Sequence, residues 1–250
     1  MRLARTANLG FDALLTVVYP LACGVCGGSV ESRALGVACA SCWKQTQVFS
    51  GSETICWKCG LPSIGVVPED VREQVRCRRC DTLAFTAARA CGIYEGALRA
   101  SILRLKREPH ISRRLRDELV KTVRKYPLNQ ATRIVPVPLH REREKARGFN
   151  QAALIGRELS RAVSLPLDEL SLVRDKHIKR HRAGMDAKGR RETVADAFRV
   201  THPALIAGER VLLVDDVFTT GATVSSCAET LLAGGAAEVF VLTLARPVRY

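Results

Sequence analysis

Aromatic side chains and long apolar runs are both scarce in this chain of 250 residues. Phe, Trp and Tyr make up 5% of the residues, so the core must come from Val, Leu, Ile and Ala, as in buried parallel sheets. The apolar stretch at residues 9–22 contains Asp12 and is too short to cross a bilayer. We therefore expect no transmembrane segment. Instead, we predict an amphipathic helix that packs on the protein through Phe11, Leu14, Leu15 and Val18.

Acidic residues are too few to balance the basic ones, and the basic excess is unevenly placed. The net charge is +14, and residues 91–200 carry 26 basic and 13 acidic side chains. Residues 201–250 carry 3 basic and 5 acidic side chains. Such a basic field attracts anionic partners, either a phosphorylated small molecule or nucleic acid. A solvated face that only maintains solubility is the alternative interpretation.

No internal repeat is visible apart from a duplicated cysteine pattern. The chain has ten cysteines, and eight of them form Cys-x-x-Cys pairs: Cys23/Cys26, Cys39/Cys42, Cys56/Cys59 and Cys77/Cys80. Two such pairs complete a tetrahedral Cys₄ zinc site. No convincing export signal is present, so we expect a reducing cytoplasm, where zinc is favoured over disulfides. We predict two structural Zn²⁺ ions held by successive pairs within residues 1–82. An interleaved pairing is the alternative that spacing leaves open.

One segment near the C-terminus joins an apolar strand, two acids and a small-residue loop. Residues 211–214 are an unbroken apolar run typical of a strand buried on both faces. Asp215 and Asp216 follow at its carboxyl end, where open α/β sheets bind ligands. Small and hydroxylic side chains then open a helix, where backbone N–H groups can approach a phosphate closely; they are Thr219, Thr220, Gly221, Ala222 and Thr223. A plain strand-to-helix turn is the alternative.

This segment resembles the phosphoribosyl diphosphate (PRPP) motif of type I phosphoribosyltransferases. The resemblance implies that Asp215 and Asp216 are the catalytic acids, which contact the ribose hydroxyls directly or through Mg²⁺. It also implies that the loop of residues 219–223, called here the 219–223 loop, binds the 5′-phosphate. Hypoxanthine-type enzymes carry an acid in this loop, facing the base, where this chain has Thr219. Simple purine salvage is therefore disfavoured.

The rest of residues 83–250 is predicted to complete an α/β domain, a parallel sheet flanked by helices. We expect strands at 87–94, 134–138 and 239–244, and helices at 96–107, 111–126, from 150 onwards and 223–233. The basic loop predicted at 139–151 is suited to a pyrophosphate. It carries Arg141, Arg143, Lys145 and Arg147. His140 is either an acid/base group or a hydrogen-bonded bystander.

Residues 175–192 are rich in Lys, Arg and His and contain almost no apolar side chains. Such a segment cannot belong to the core. We interpret it as a basic lid that closes over an anionic substrate. A disordered segment without a function is the alternative.

Taken over its whole length, the chain resembles the ComF (ComFC-like) family. The resemblance is carried by the cysteine pairs, a Leu-x-Leu-Lys helix ending at Lys106, a Val-Pro-Val-Pro-Leu-His loop ending at His140, and the segment at residues 147–151. It implies that Lys106, His140 and Arg141 belong to the PRPP site. It also implies a role in DNA uptake, with single-stranded DNA and a DNA-processing protein as partners. Arg182 and Thr193 depart from the family pattern, in the region of the predicted lid.

Three functions therefore remain open. The favoured one is a Mg²⁺- and PRPP-binding protein of DNA uptake, with or without turnover. The second is a metabolic phosphoribosyltransferase that acts on a small base or amine. The third is a noncatalytic module that binds nucleic acid or a partner through its arginines.

Overall fold

The computed structural model describes residues 20–63, 65, 67–174 and 197–248. Both the predicted N-terminal helix and the predicted basic lid lie outside these residues. The larger unit is built on a four-stranded parallel sheet in the order β1-β6-β5-β2. Its strands are β1 (Ala87–Ile93), β2 (Arg133–Pro136), β5 (Arg210–Val217) and β6 (Glu238–Arg246). A separate two-stranded antiparallel sheet is formed by β3 (Leu172–Arg174) and β4 (Phe198–Val200).

Six α-helices are found among the described residues. They are α1 (Ala40–Gln45), α2 (Gly96–Leu105), α3 (Arg113–Val123), α4 (Arg141–Arg147), α5 (Gln151–Val163) and α6 (Ala222–Ala233). None of the helices in this part of the chain combines the length and the apolar character needed to cross a bilayer. The prediction of a loop throughout residues 139–151 was wrong, because α4 occupies half of it. Glu142 and Glu144 in its first turn, and Lys145 and Arg147 in its last, complement the helix dipole.

The apolar run of β5 lies in the middle of the sheet, as its composition predicts. Residues 211–214 are fully buried, and Leu213 pairs with Val241 of β6 while Val135 of β2 lies on its other side. Helices cover both faces of the sheet, so successive residues of β5 are apolar whichever way they point. This burial fixes the strand and therefore the position of the acids at its end.

The cysteine-rich segment packs directly on β1 instead of forming a separate lobe. Residues 47–49 run antiparallel to β1, where Ile93 N–H donates to the Gln47 carbonyl (2.9 Å) and Phe49 N–H donates to the Cys91 carbonyl (2.8 Å). Gly92 permits this approach, since a Cβ there would lie 2.3 Å from the Gln47 carbonyl oxygen. The segment thus covers an edge of the sheet that would otherwise be exposed.

Candidate functional site

The site lies at the carboxyl edge of the sheet, because all four strands are parallel and their ends meet there. Asp215 and Asp216 are the acids of the central strand β5. Lys106 follows α2, the helix that leaves β1, and its Nζ lies 3.2 Å from Asp216 Oδ2. The Asp216 side chain is 18% exposed and the Lys106 side chain 35%. The fold therefore joins two residues that are 110 positions apart in the chain.

Asp215 has a strongly perturbed carboxyl group. Burial, together with the neighbouring charge of Asp216, raises the pKa of Asp215 to about 7. Opposing contributions come from the Asp216 backbone N–H, which donates to Asp215 Oδ1 at 2.8 Å, and from the charges of Lys106 and Arg174. The positive charges of Lys106 and Arg174 therefore do not fully compensate the two adjacent carboxylates at this partly buried edge. A divalent cation or a set of hydroxyl donors would complete the site.

The 219–223 loop has a backbone geometry that only its glycine adopts readily. Gly221 has a φ of +81° and stands directly before α6, and a Cβ there would lie 2.7 Å from Phe218 Cζ. Thr219, Thr220, Ala222 and Thr223 are exposed around it. Thr220 Oγ1 accepts a hydrogen bond from the Ala222 N–H at 3.3 Å. The loop thus presents hydroxyl groups and the N-terminus of a 12-residue helix beside the acid pair, an arrangement suited to an anion.

Arg174 is a site residue that the sequence did not reveal. It ends β3, and its guanidinium lies 5.3 Å from the Phe198 ring centroid. Its Nε is buried and has no hydrogen-bond partner among the residues that the structure describes. Burial lowers the pKa of Arg174, and the charge of Arg143 adds to this effect, while the charge of Asp215 opposes it. The positive charge of Arg174 therefore interacts with the carboxylate of Asp215. A single arginine at the end of a three-residue strand carries no sequence signal for this role.

Arg141 lies with Arg174 along one cleft of about 390 Å³. Other basic residues of the lining are Arg157 and Arg199, and the acids there are Glu144 and Glu169. Glu169 is paired with Arg157, with 2.6 Å between Oε2 and Nη2, so Arg157 is already neutralised. The structure thus places the predicted Arg141 in a basic cleft that also contains Arg174.

His140 has a structural contact that favours the bystander interpretation. Its Nδ1 accepts a hydrogen bond from the Glu142 N–H at 3.3 Å, so the side chain caps the N-terminus of α4. A helix was predicted to start near Asn150, and the structure confirms Asn150 as the N-cap of α5. Its Oδ1 accepts from the Ala152 N–H and its Nδ2 donates to the Val137 carbonyl, both at 3.0 Å. Asn150 therefore ties the start of α5 to the end of β2.

The eight paired cysteines form two separate clusters, and the pairing is sequential as predicted. Within each cluster all four sulfur atoms lie within 4.8 Å of one another; the clusters are Cys23, Cys26, Cys39 and Cys42, and Cys56, Cys59, Cys77 and Cys80. Cys26 and Cys39 Sγ are 3.8 Å apart, and Cys59 and Cys77 Sγ are 3.5 Å apart. Zn–S bonds of about 2.3 Å in a tetrahedron require sulfur separations of about 3.8 Å. These distances fit structural zinc and are much too long for disulfides.

Comparison with known proteins agrees with this geometry. Residues 14–81 match the double zinc ribbon domain, and residues 150–249 match the phosphoribosyl transferase domain. The DNA utilization protein YhgH of Escherichia coli K12 is 32% identical over 93% of this chain and 99% of its own length.

Two proteins named for competence are also similar. Competence protein ComFC of Bacillus subtilis is 31% identical, over 83% of both chains. Competence protein F of Haemophilus influenzae is 39% identical over 49% of this chain and 54% of its own length. The zinc ribbons, the parallel sheet with its acid pair and these near-full-length similarities show that the chain belongs to the ComF family of competence and DNA utilization proteins.

Proposed function

We propose that this protein binds PRPP together with Mg²⁺ and acts in the handling of single-stranded DNA during DNA uptake. The observation that carries the first half is the convergence of Asp215, Asp216, Lys106 and the 219–223 loop at one edge of the sheet. The names of its relatives, which refer to competence and DNA utilization, support the second half. We place the protein in the cytoplasm, where PRPP and reduced zinc thiolates both occur.

The ligand would lie across the acid pair. The 219–223 loop would hold the 5′-phosphate, and Asp215 and Asp216 would bind the ribose hydroxyls directly or through Mg²⁺. Arg141 and Arg174 of the basic cleft would bind the pyrophosphate, for which guanidinium groups are geometrically suited. Lys106 is paired with Asp216. When the ligand binds, its Nζ would contact a phosphate oxygen and the ion pair with Asp216 would weaken. Each of these residues acts by position and charge.

Turnover, where it occurs, would depend on electrostatics. The ribose C1 becomes cationic as pyrophosphate leaves, and Mg²⁺ supplies charge to the leaving group when it is bound. The acid pair would stabilise the developing cation, and the arginines would stabilise the departing anion. No covalent intermediate with the protein is needed. Placement of the phosphates then matters more than any single proton transfer.

The first experiment is a calorimetric titration of the zinc-loaded protein with PRPP, with and without Mg²⁺. We expect binding that requires Mg²⁺ and weakens by at least about tenfold, 1.4 kcal/mol, in Asp216→Asn. Asp117→Asn, which changes an exposed acid on α3, is the matched control and should bind as the parent does. If the parent protein gives no heat with PRPP at millimolar concentration, the PRPP proposal is wrong.

A separate observation supports the DNA-binding part of the proposal, namely the basic outer face of α3. Arg113, Lys121 and Arg124 are all exposed on this helix and its C-cap, whereas Leu115, Leu119 and Val123 face the core. Contacts between such side chains and phosphates release counterions, so affinity should fall steeply with salt, with a log–log slope of about −0.7 per contact. Fluorescence anisotropy with a labelled oligo-dT measures this slope.

A triple variant, Arg113→Gln, Lys121→Gln and Arg124→Gln, should reduce both the affinity and the slope. The matched control removes three basic residues elsewhere on the exposed surface: Lys44→Gln, Arg78→Gln and Arg161→Gln. A salt-independent affinity, or equal losses in both variants, would show that α3 is not the DNA-binding face.

A further inference from the structure

A cleft of about 130 Å³ lies between the cysteine-rich segment, β1 and the end of α3. We call it the Trp57 cleft. It shares no lining residue with the basic cleft, and neither the acid pair nor the 219–223 loop contributes to it. In the sheet, β6 separates β1 from β5, the strand of the acids. The Trp57 cleft is therefore a different surface from the one proposed to bind PRPP.

Aromatic rings, which are scarce in this chain, meet at the Trp57 cleft. One of the two tryptophans and one of the four tyrosines line it, together with Phe49. The ring centroids of Trp57 and Tyr126 are 5.6 Å apart, with 37° between the ring planes. The Arg89 guanidinium lies 4.8 Å from the Trp57 ring centroid, and its Nη1 donates to the Trp57 carbonyl at 2.7 Å. Arg89 and the surrounding Cys-x-x-Cys pair thus hold Trp57 in place.

Tyr126 contacts this fixed ring and is itself 56% exposed. We call the two rings of Trp57 and Tyr126 the aromatic platform. A tyrosine has few rotatable bonds, and contact with Trp57 restrains it further, so little conformational entropy is lost when a partner covers it. An exposed and restrained ring is what proteins use to stack unpaired bases, since every base has a π face.

Basic side chains adjoin the aromatic platform along the chain. Arg124 and Lys125 directly precede Tyr126, and Lys121 lies one turn earlier on α3. Lys121 and Arg124 are exposed and belong to the basic outer face of α3 described above. The platform therefore continues this face, and a strand whose phosphates follow α3 would bring its bases to Tyr126.

The charge of Lys125 stays available to a phosphate, although the acid Glu53 lines the same cleft. Lys125 Nζ donates to the Ser50 carbonyl, which orders the side chain without neutralising it. The Glu53 carboxylate accepts from the N–H groups of Ser50 and Gly51, at 2.7 and 2.8 Å. Both side chains are thus held by backbone groups of the same turn.

We propose that Tyr126, supported by Trp57, stacks an unpaired base of single-stranded DNA, while Arg124 and Lys125 bind the adjoining phosphates. The inference deepens the DNA-binding part of the proposed function and rests on it. Arg89, whose charge interacts with thiolates of the second cysteine cluster, keeps its role of holding Trp57. Stacking on a ring does not depend on base identity, so this site accepts any sequence.

The test uses the zinc-loaded full chain and two labelled single strands of equal length, oligo-dT and an abasic strand with the same number of phosphates. Fluorescence anisotropy measures both affinities over a range of salt concentrations. Tyr126→Leu keeps an apolar side chain but removes the ring, whereas Tyr126→Phe keeps the ring. Leu205→Ala, at a 42% exposed leucine between β4 and β5, is the matched control.

We expect Tyr126→Leu to weaken the binding of oligo-dT by about tenfold without a change in the salt slope. Its affinity for the abasic strand should stay within about twofold of the parent. Tyr126→Phe and Leu205→Ala should bind both strands as the parent does. In the parent protein, a strand that contains bromodeoxyuridine should form ultraviolet crosslinks with the peptides of Trp57 or Tyr126.

Unchanged binding of oligo-dT by Tyr126→Leu, which is the result expected if the platform binds a peptide instead, overturns this inference alone. Equal losses on both strands also overturn it, because a stacking residue acts only on a strand that has bases. Crosslinks confined to other peptides have the same meaning. If the parent protein binds neither strand, the DNA-binding part of the proposed function is wrong instead.

Discussion

Asp215→Asn should make the ligand-free protein more stable at neutral pH. Burial and the charge of Asp216 raise the pKa of Asp215 from 3.8 to about 7 in the folded protein. This difference of roughly three units, at 1.36 kcal/mol each, corresponds to about 4 kcal/mol. We take about half of this value, because the Asp215 side chain is partly exposed to water. Asparagine carries no charge, and its Oδ1 can still accept from the Asp216 N–H.

The size of this gain in stability depends on pH in a defined way. The unfolded chain loses the proton of Asp215 near pH 4, whereas the folded protein keeps it until about pH 7. Since the folded state binds the additional proton, the stability of the parent protein falls as pH rises through this window and is constant above it. The advantage of Asp215→Asn should therefore be about half complete at pH 5.5 and reach about 2 kcal/mol at pH 8.

Thermal unfolding in the presence of zinc, between pH 5.5 and 8, measures this advantage. A gain of about 2 kcal/mol corresponds to a rise in Tm of about 4–8 °C for a chain of this size. More acidic buffers are unsuitable, because protons then compete with zinc for the thiolates.

Asp168→Asn is the control of opposite sign. Burial opposes ionisation of Asp168, but hydrogen bonds from Ser171 and Leu170 outweigh it and lower the pKa. That variant should lose stability by the same amount throughout pH 5.5 to 8, because the pKa of Asp168 is lowered below 3.8 in the folded protein and the carboxylate stays ionised in both states over this range. If Asp215→Asn is no more stable than the parent at pH 8, or its advantage does not grow with pH, our account of the acid pair is wrong.

Three further predictions follow from single contacts. Gly221→Ala should weaken PRPP binding by at least about tenfold, because its φ is +81° and the added Cβ meets Phe218; Gly208→Ala, at a glycine of φ +75° that lies before the start of β5, is the control, and equal affinities by calorimetry would contradict this. Gly92→Ala should cost at least about 2 kcal/mol in a thermal melt, since the Cβ would lie 2.3 Å from the Gln47 carbonyl; an unchanged Tm would show that the pairing with β1 contributes little. Metal analysis after brief chelation should find two zinc ions in the parent and about one in Cys80→Ser; two in both would contradict the second cluster.

Local patterns predicted most of the larger unit. The unbroken apolar run at residues 211–214 predicted a buried strand, and the structure confirms it as the middle of β5. The fourfold spacing of Leu115, Leu119 and Val123 predicted α3, whose buried face carries these side chains. Residues 139–151 were misread because Pro136 and Pro138, which end the strand, were taken to open a loop through the whole segment. The opposite charges at the two ends of residues 141–147 instead stabilise a short helix.

The site was only partly predictable. Thiolates in Cys-x-x-Cys pairs lie close together whatever the rest of the chain does, so spacing identified the eight zinc ligands. Only the structure showed that successive pairs, and not interleaved ones, form the two clusters. Arg174 had no such local pattern. It becomes important because the end of β3 places its charge close enough to act on Asp215, which is distant in sequence.

The sequence by itself determined the zinc ligands, the strand that carries the acid pair and the loop that follows it. These depend on chemistry within a few residues, on thiolate spacing, apolar burial and the conformational freedom of Gly221. Tertiary structure alone decided that Lys106 pairs with Asp216, that the charge of Arg174 acts on Asp215, and that the cysteine-rich segment covers β1. The first and the third depend on the order β1-β6-β5-β2, which brings separate strand ends together and leaves β1 at an edge, and the second depends on where the separate pair of β3 and β4 packs.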